Sequence, residues 1–347
     1  METYSRELYE ALRDLPADVV LHGPAPSMVG RPSLWQMARF FAGACWTLLR
    51  HGRAFDTLLL GDFALASLAP VAKLASLGRL RVVVSLHGND LYFMRKRTWD
   101  ARLYRLLARV VVGSGALDAG VANSNAIRAE AERNGIAPVT VVPLATTVPP
   151  ATVMDVSRKP LLVFTSRLIR YKGLSWFVRE VWPHLDPQLE LVVAGQVWDE
   201  EELASLLDEP RIRYLGPLPH ADLPALRASA IASIMPNRPP AAGEQDEGFG
   251  LVALEGPVVG TPTVASRCGG LPDAVADGIT GFLLPPMDAS AWIRCLNDIA
   301  TWPAERRQAF AGRARQYTLD HYNWRLVAQR TLAVLAGDCD RMDGARA

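Results

Sequence analysis

Residues 231–255 read IASIMPNRPPAAGEQDEGFGLVALE. Ile231 to Met235 is a short apolar run of the kind that forms a strand buried on both faces. Met235 to Asp246 is a proline-rich loop, and a helix start follows near Gly250. The same succession of strand, loop and helix recurs in both directions along the chain. Towards the N-terminus the β-type runs are Asp18 to Leu21, Thr57 to Leu60, Arg81 to Leu86, Ala119 to Ala122 and Val139 to Val142. Around the opening stretch they are Leu161 to Thr165, Leu189 to Ala194, Arg211 to Leu215 and Thr263 to Ser266. Helical patterns such as Gly173 to Val181, Glu200 to Leu207 and Ala289 to Ile299 lie between them. Such alternation predicts α/β domains built on parallel, doubly wound sheets.

A length of 347 residues suits two domains rather than one. Thr146 to Pro160, with three prolines, interrupts the pattern and reads as the linker. The tail from Gly337 is small and charged and reads as frayed. A net charge of +1 implies no bulk attraction to nucleic acid. The four cysteines, Cys45, Cys268, Cys295 and Cys339, form no C-x-x-C pair and read as reduced thiols. The six histidines are scattered without ligand spacing, so no metal site is expected. Asp338-Cys339-Asp340 has a D-x-D look but falls in the tail.

No apolar run reaches the ~20 residues that a membrane-spanning helix needs. Leu34 to Leu49 has its apolar residues Trp35, Phe40, Phe41, Ala44, Leu48 and Leu49 at helical spacing. It reads as a core-packed helix, or as a membrane-surface helix flanked by Arg31, Arg50 and Arg53. The opening METYSRELYEAL carries acids and no apolar core, so it is no signal peptide. Glu2 to Leu15 reads instead as an amphipathic helix.

Chemistry concentrates at Glu247 and Glu255. Gly248 and Gly250 let the backbone turn and approach a ligand, and amides at a helix start favour phosphate. Eight residues of helix separate two carboxylates by ~12 Å. That is too far for a pair acting on one bond, which needs ~5.5 Å. The spacing suits two carboxylates gripping the ends of an elongated ligand, with its phosphates between them. Gly248 to Ala253 also matches the dinucleotide G-x-G-x-x-A pattern, but a long loop precedes it and no acid closes a following strand.

E-x7-E after a loop and before a helix resembles the family 4 retaining glycosyltransferases, whose fold is GT-B. Ser166-Arg167-Leu168 with Lys172-Gly173 resembles the family's R-x4-K-G element. Cys268 to Asp288 (CGGLPDAVADGITGFLLPPMD) resembles its G-G-x-P-[ED] and D-G-x-x-G-x-L stretch, and Ser85 to Asp90 (SLHGND) its H-G-x-D turn. The resemblance implies two Rossmann-like doubly wound domains with an interdomain cleft. An acceptor-side domain would span 1–148 and a nucleotide-sugar domain 149–318. A C-terminal helix at 319–336, part of one long helical run from Glu305 to Leu335, would cross back to the first domain, and 337–347 would be tail.

The resemblance also implies roles. Glu247 would bind the donor sugar's hydroxyls and Glu255 the ribose. Arg167 and Lys172 would hold the diphosphate in place of a metal. Gly248, Phe249, Gly250 and Leu251 would line the donor, and His87 would face the sugar from the other domain. The implied reaction moves a hexosyl unit from a UDP-, GDP- or ADP-sugar to a glycan or lipid-linked glycan, with retention and with no cofactor. The implied setting is the cytoplasm, with peripheral contact at the inner membrane face and a place in polysaccharide biosynthesis. A sugar-nucleotide epimerase and an inactive GT-B remnant or partner protein are the alternatives.

Two departures from the family stand out. Its opening strand and Gly-Gly loop have no counterpart before Glu2, which leads to the expectation that some 15 to 20 residues precede this start. Gly256-Pro257 directly follow Glu255; proline there removes a helical hydrogen bond, so a shortened or kinked helix is expected.

Overall fold

The computed structural model describes residues 2–22, 33–149, 158–207, 209–241 and 244–338. It divides into two compact units, Met1–Val142 with Trp324–Ala347, and Pro143–Asn323. The junction and the assignment of the last helix differ by a few residues from the boundaries at 148 and 318. Residues 150–157 of the expected linker lie outside the described residues, as do Cys339 and Asp340 of the tail motif.

The first unit contains α1 (Glu2–Arg13), α2 (Leu34–His51), β1 (Thr57–Leu60), α3 (Leu68–Ala75), β2 (Arg81–Leu86), α4 (Asn89–Phe93), α5 (Trp99–Gly113), β3 (Ala119–Ala122), α6 (Asn125–Arg133) and β4 (Val139–Val141). Its strands are all parallel, in the order β1-β2-β3-β4. Each crossover therefore steps the same way, and right-handed connections put their helices on one face. Ala44 and Leu48 of α2, Ala69 and Ala72 of α3 and Ala108 and Val111 of α5 join the strands in one core cluster.

Asp18 to Leu21 is not a strand. Val20 and Leu21 are 69% and 53% exposed, and the segment pairs with no described strand. An apolar run becomes a strand only where an edge accepts its backbone groups, and here none does.

The second unit contains β5 (Leu161–Phe164), α7 (Leu174–Glu180), β6 (Glu190–Val193), α8 (Glu200–Ala204), β7 (Ile212–Tyr214), α9 (Leu223–Ala228), β8 (Ala232–Met235), α10 (Val252–Glu255), β9 (Thr263–Ser266), α11 (Leu271–Ala274), β10 (Gly281–Leu284), α12 (Ala289–Ala300) and α13 (Ala304–His321). Its parallel sheet has the order β10-β9-β8-β5-β6-β7. Central β5, β8 and β9 are buried at every position, while edge strand β10 alternates. Trp182, Trp292 and Phe177 pack beneath them.

The long helix anticipated from Glu305 to Leu335 is two helices. Tyr322 leaves the helical conformation (φ −125°, ψ 54°). Its hydroxyl donates to Asp273 O at 2.9 Å, and Asn323 Nδ2 donates to Leu319 O at 2.9 Å. The Asn323 bond caps a carbonyl left free at the end of α13, and the Tyr322 bond ties the break to α11. Beyond it, α14 (Trp324–Ala336) belongs to the first unit, packing on α1 and on β1, β2 and β3. Thr57 Oγ1 donates to Leu335 O at 3.2 Å, and Arg81 Nε to Val334 O at 3.3 Å.

Candidate active site

In the second unit the chain runs outward from β5 through β6 to β7, then returns to place β8 on the other side of β5. Strand order reverses between β5 and β8. Loops leaving the carboxyl ends of two such strands diverge, and the crevice between them is where open α/β sheets bind ligands. Arg167 and Lys172 follow β5, and Glu247 follows β8, so the fold brings Lys172 against Glu247, 75 positions away.

Lys172 forms an ion pair with the Glu247 carboxylate, with side chains 7% and 13% exposed. Asn237 Nδ2 donates to the same carboxylate oxygen, Oε2, at 3.2 Å. Asn237 is itself buried, and its Oδ1 has no hydrogen-bond partner among the described residues. Lys172 is set by the turn after β5. Gly173 there has φ +72°, and a Cβ on it would lie 2.1 Å from Pro236 O. Only glycine allows the Lys172 turn to sit directly against the loop that carries Asn237.

Glu255 ends α10, which is four residues long; a 3₁₀ turn, Pro257–Val259, takes its place. The helix is thus shortened where Gly256-Pro257 predicts. Glu255 stays anchored because Arg227 at the end of α9 forms an ion pair with its Oε2, while His220 Nε2 lies 3.8 Å from Oε1. Arg227 also donates from Nε and Nη2 to Thr165 Oγ1 at 3.2 and 2.9 Å. Burial pushes its guanidinium pKa down, and the Glu255 charge opposes that.

Arg167 lies with its guanidinium carbon 4.6 Å from the Trp198 ring centroid and donates to the Tyr171 hydroxyl at 3.4 Å. The loops after β5 and β6 are stitched by Leu168 N donating to Gln196 O and Trp198 N to Leu168 O, both 2.9 Å. Among the described residues the cation is therefore held by a ring rather than by an acid.

Between the two glutamates, Gly250 has φ +88°. Phe249 points inward, its ring 6.3 Å from that of Tyr322, so only its backbone is available to a ligand. Leu251 is 43% exposed. Gly270 N donates to Glu247 O at 2.8 Å, so the Gly-Gly turn after β9 braces this loop. Burial, with Asp246 and Glu247 nearby, pushes the Cys268 thiol up to about 12, leaving it protonated and a poor nucleophile. Among the described residues, no group of three His, Cys, Asp or Glu side chains is placed to share a metal ion.

His87 stands in the first unit, after β2. Its Nε2 is 3.2 Å from Ser85 Oγ, and the Tyr4 ring packs edge-on at 4.5 Å. Burial lowers its pKa, against a raising contribution from Asp90. Asp90 Oδ1 accepts from the Gly88 and Leu91 amides at 2.9 and 3.0 Å, which fixes the H-G-N-D turn.

Reading the sequence missed Asn237, Arg227, Trp198 and Tyr171. Asn237 and Trp198 each lie just past a buried strand, which is a usable signal. Arg227, a lone basic residue in LPALRAS, looks like a surface charge.

Two parallel-sheet units, with the Lys172–Glu247 pair at the switch point of the second, define a two-domain α/β architecture. The chain belongs to the family 4 glycosyltransferases and has the GT-B fold: residues 1–146 match the family described as Glycosyltransferase Family 4, and residues 159–301 that described as Glycosyl transferases group 1. Among curated relatives, it is similar to a GDP-mannose-dependent alpha-(1-6)-phosphatidylinositol monomannoside mannosyltransferase of Mycolicibacterium smegmatis, 34% identical over 52% of this chain and 48% of that protein. It is also similar to glycogen synthase of Mycobacterium tuberculosis, 32% identical over 50% of this chain and 41% of that protein. The chain thus spans about half or less of these relatives. In fold it resembles Anabaena HepE in complex with UDP and glucose (TM-score 0.66, 19% identity, 88% of this chain and 83% of that one). It likewise resembles sucrose-phosphate synthase of Thermosynechococcus elongatus (TM-score 0.66, 20% identity, 99% and 94%).

Proposed function

We propose that this glycosyltransferase takes a hexosyl unit from a nucleotide-diphosphate sugar and passes it, with retained anomeric configuration, to a glycan or lipid-linked glycan. The observation carrying this reading is the pair of glutamates on either side of one glycine loop, each tied to a cation: Glu247 to Lys172 and Glu255 to Arg227. Glu255 binds the ribose hydroxyls and Glu247 the sugar hydroxyls. The donor diphosphate lies between them against Arg167 and Lys172. When it binds, Lys172 exchanges a carboxylate for phosphate, and Glu247 becomes free to accept hydrogen bonds from the sugar.

Cleavage of the bond from C1 to the phosphate oxygen sends its electron pair onto the leaving diphosphate. Two fixed cations stabilise that charge without reorganising. The acceptor hydroxyl attacks C1 from the face the diphosphate leaves, and its proton passes to a phosphate oxygen. No metal and no protein nucleophile is needed in this scheme. The acceptor and the peripheral contact at the inner membrane face belong to the same proposal, as do the cytoplasmic setting and the role in polysaccharide synthesis.

GDP-mannose, used by the Mycolicibacterium relative, and UDP-glucose are the first donors to offer, with ADP-glucose beside them. Donor turnover, with NMR of the anomeric proton in any product, tests the reading. Arg167→Ala and Glu247→Ala are expected to lower turnover by about 100-fold or more. Unchanged turnover in both variants means the site is misassigned, and an inverted product removes the front-face scheme.

A further inference from the structure

Helix α5 buries one face and exposes an apolar stripe on the other. Ala101, Ala108 and Val111 point into the core. At ~100° per residue, Trp99, Leu103, Leu106, Leu107 and Val110 fall within an arc of about 100° opposite them. They are 78%, 50%, 57%, 56% and 62% exposed. A globular surface tolerates single exposed leucines, but five large apolar side chains in one row mark an interaction surface.

Charge says which kind of surface. Lys96 to Gly113 contains five Lys and Arg residues against one acid, Asp100, in a chain whose net charge is only +1. Arg102 and Arg109 are exposed along one border of the stripe, and Lys96 and Arg97 lie exposed just before its tryptophan end. Arg105 is used internally, donating to Lys96 O at 2.9 Å and so holding the turn that aims the helix.

α2 repeats the design. Trp35, Trp46 and Leu49 are 78%, 65% and 58% exposed on the side away from buried Ala44 and Leu48. The segment from Leu34 to Arg53 carries Arg39, Arg50 and Arg53 and no acid. Both helices bury their inner faces in the same core cluster of the first unit. Among the described residues no helix is long and apolar enough to cross a membrane.

We infer that the exposed stripe of α5, seconded by α2, is the surface by which this protein docks on an anionic lipid bilayer. Leucines and tryptophan enter the headgroup boundary while the flanking arginines meet lipid phosphates. A neutral protein partner would explain the leucines but not the excess of exposed cations, Lys96, Arg97, Arg102 and Arg109, beside them. The inference rests on the peripheral contact proposed above and names its site; it does not depend on the donor assignment.

Co-sedimentation of the whole chain with vesicles of phosphatidylcholine mixed with phosphatidylglycerol, against pure phosphatidylcholine, tests it. The protein is expected to bind the anionic vesicles, with binding falling as salt rises. Leu103→Glu with Leu107→Glu, and separately Arg102→Glu with Arg109→Glu, are expected to weaken binding by about tenfold or more. Thermal unfolding should be unaltered, because these side chains are already exposed. In vesicles with brominated acyl chains, the quenched fluorescence is expected to shrink in Trp99→Phe. No binding by the unaltered chain would overturn the peripheral contact itself. Binding that survives both double variants would overturn the α5 assignment alone. A concentration-dependent dimer broken by Leu103→Glu, without vesicle binding, would make the stripe a contact between copies instead.

Discussion

The Arg227 guanidinium and the Glu255 carboxylate form an ion pair whose two members are unequally buried, at 1% and 20% of their side-chain surface. Water can reach the carboxylate but not the cation. Removing either partner therefore has different consequences. Glu255→Ala strands a buried charge and is expected to lower the unfolding free energy by ~3–5 kcal/mol. Arg227→Met leaves a carboxylate that water can solvate, and is expected to cost about half of that or less. Urea denaturation of both variants checks the ordering. Equal losses would mean that the pair is not asymmetric in solution.

Asp62 and Asp90 lie at the carboxyl ends of β1 and β2 in the first unit. Burial, then the Asp90 charge, pushes the Asp62 pKa from 3.8 up to about 6. The folded state thus holds its proton more tightly than the unfolded chain does. The stabilisation is full below about pH 4 and is lost as pH rises through about 6. Asp62→Asn keeps the acceptor for the Ala64 amide and removes the charge. It is expected to raise stability by ~2 kcal/mol at pH 8 and by little at pH 4. Thermal melts at the two pH values measure this. A gain that is the same at both would remove the titration argument.

Among the described residues Arg167 pairs with an aromatic ring and with no acid, which leaves its charge for the diphosphate proposed above. Trp198→Ala is expected to weaken donor binding by roughly 2- to 5-fold, the scale of one exposed cation–π contact. Trp198→Phe should recover part of it. Calorimetric titration reads the difference, and an unchanged affinity would mean the stacking does not position Arg167.

Gly173→Ala is expected to destabilise the second unit by ~2 kcal/mol or more, because φ is positive and the new methyl meets Pro236 O. The same variant should impair donor binding by displacing Lys172. A melting temperature unchanged within error would show that the turn relaxes without cost.

Legibility in the sequence followed burial. Leu161 to Phe164 and Ala232 to Met235 are visible because strands buried on both faces are apolar without interruption. β10 escaped because it is an edge strand of four residues whose burial alternates. Asp18 to Leu21 has strand composition but no partner, and pairing is not a local property. The α13–α14 break depends on Tyr322 reaching Asp273, 49 residues away in sequence. At the site, Lys172 and Glu247 stand out by motif, but their direct pairing does not, because it arises from strand order. Arg227 has no local signature at all; only the fold shows that it holds Glu255.

In the proposed donor site, Glu247 and Glu255 grip opposite ends of one nucleotide sugar. Titrating Glu247→Gln and Glu255→Gln with both a nucleotide-diphosphate sugar and the matching nucleotide diphosphate tests it most directly. A hydrogen bond to a charged group contributes ~1.5–3 kcal/mol, or about 10- to 100-fold in affinity. Glu255→Gln should weaken both ligands by a similar factor, since both carry the ribose. Glu247→Gln should weaken only the sugar-bearing ligand. Equal losses for both ligands in both variants, or no loss in either, would contradict the account.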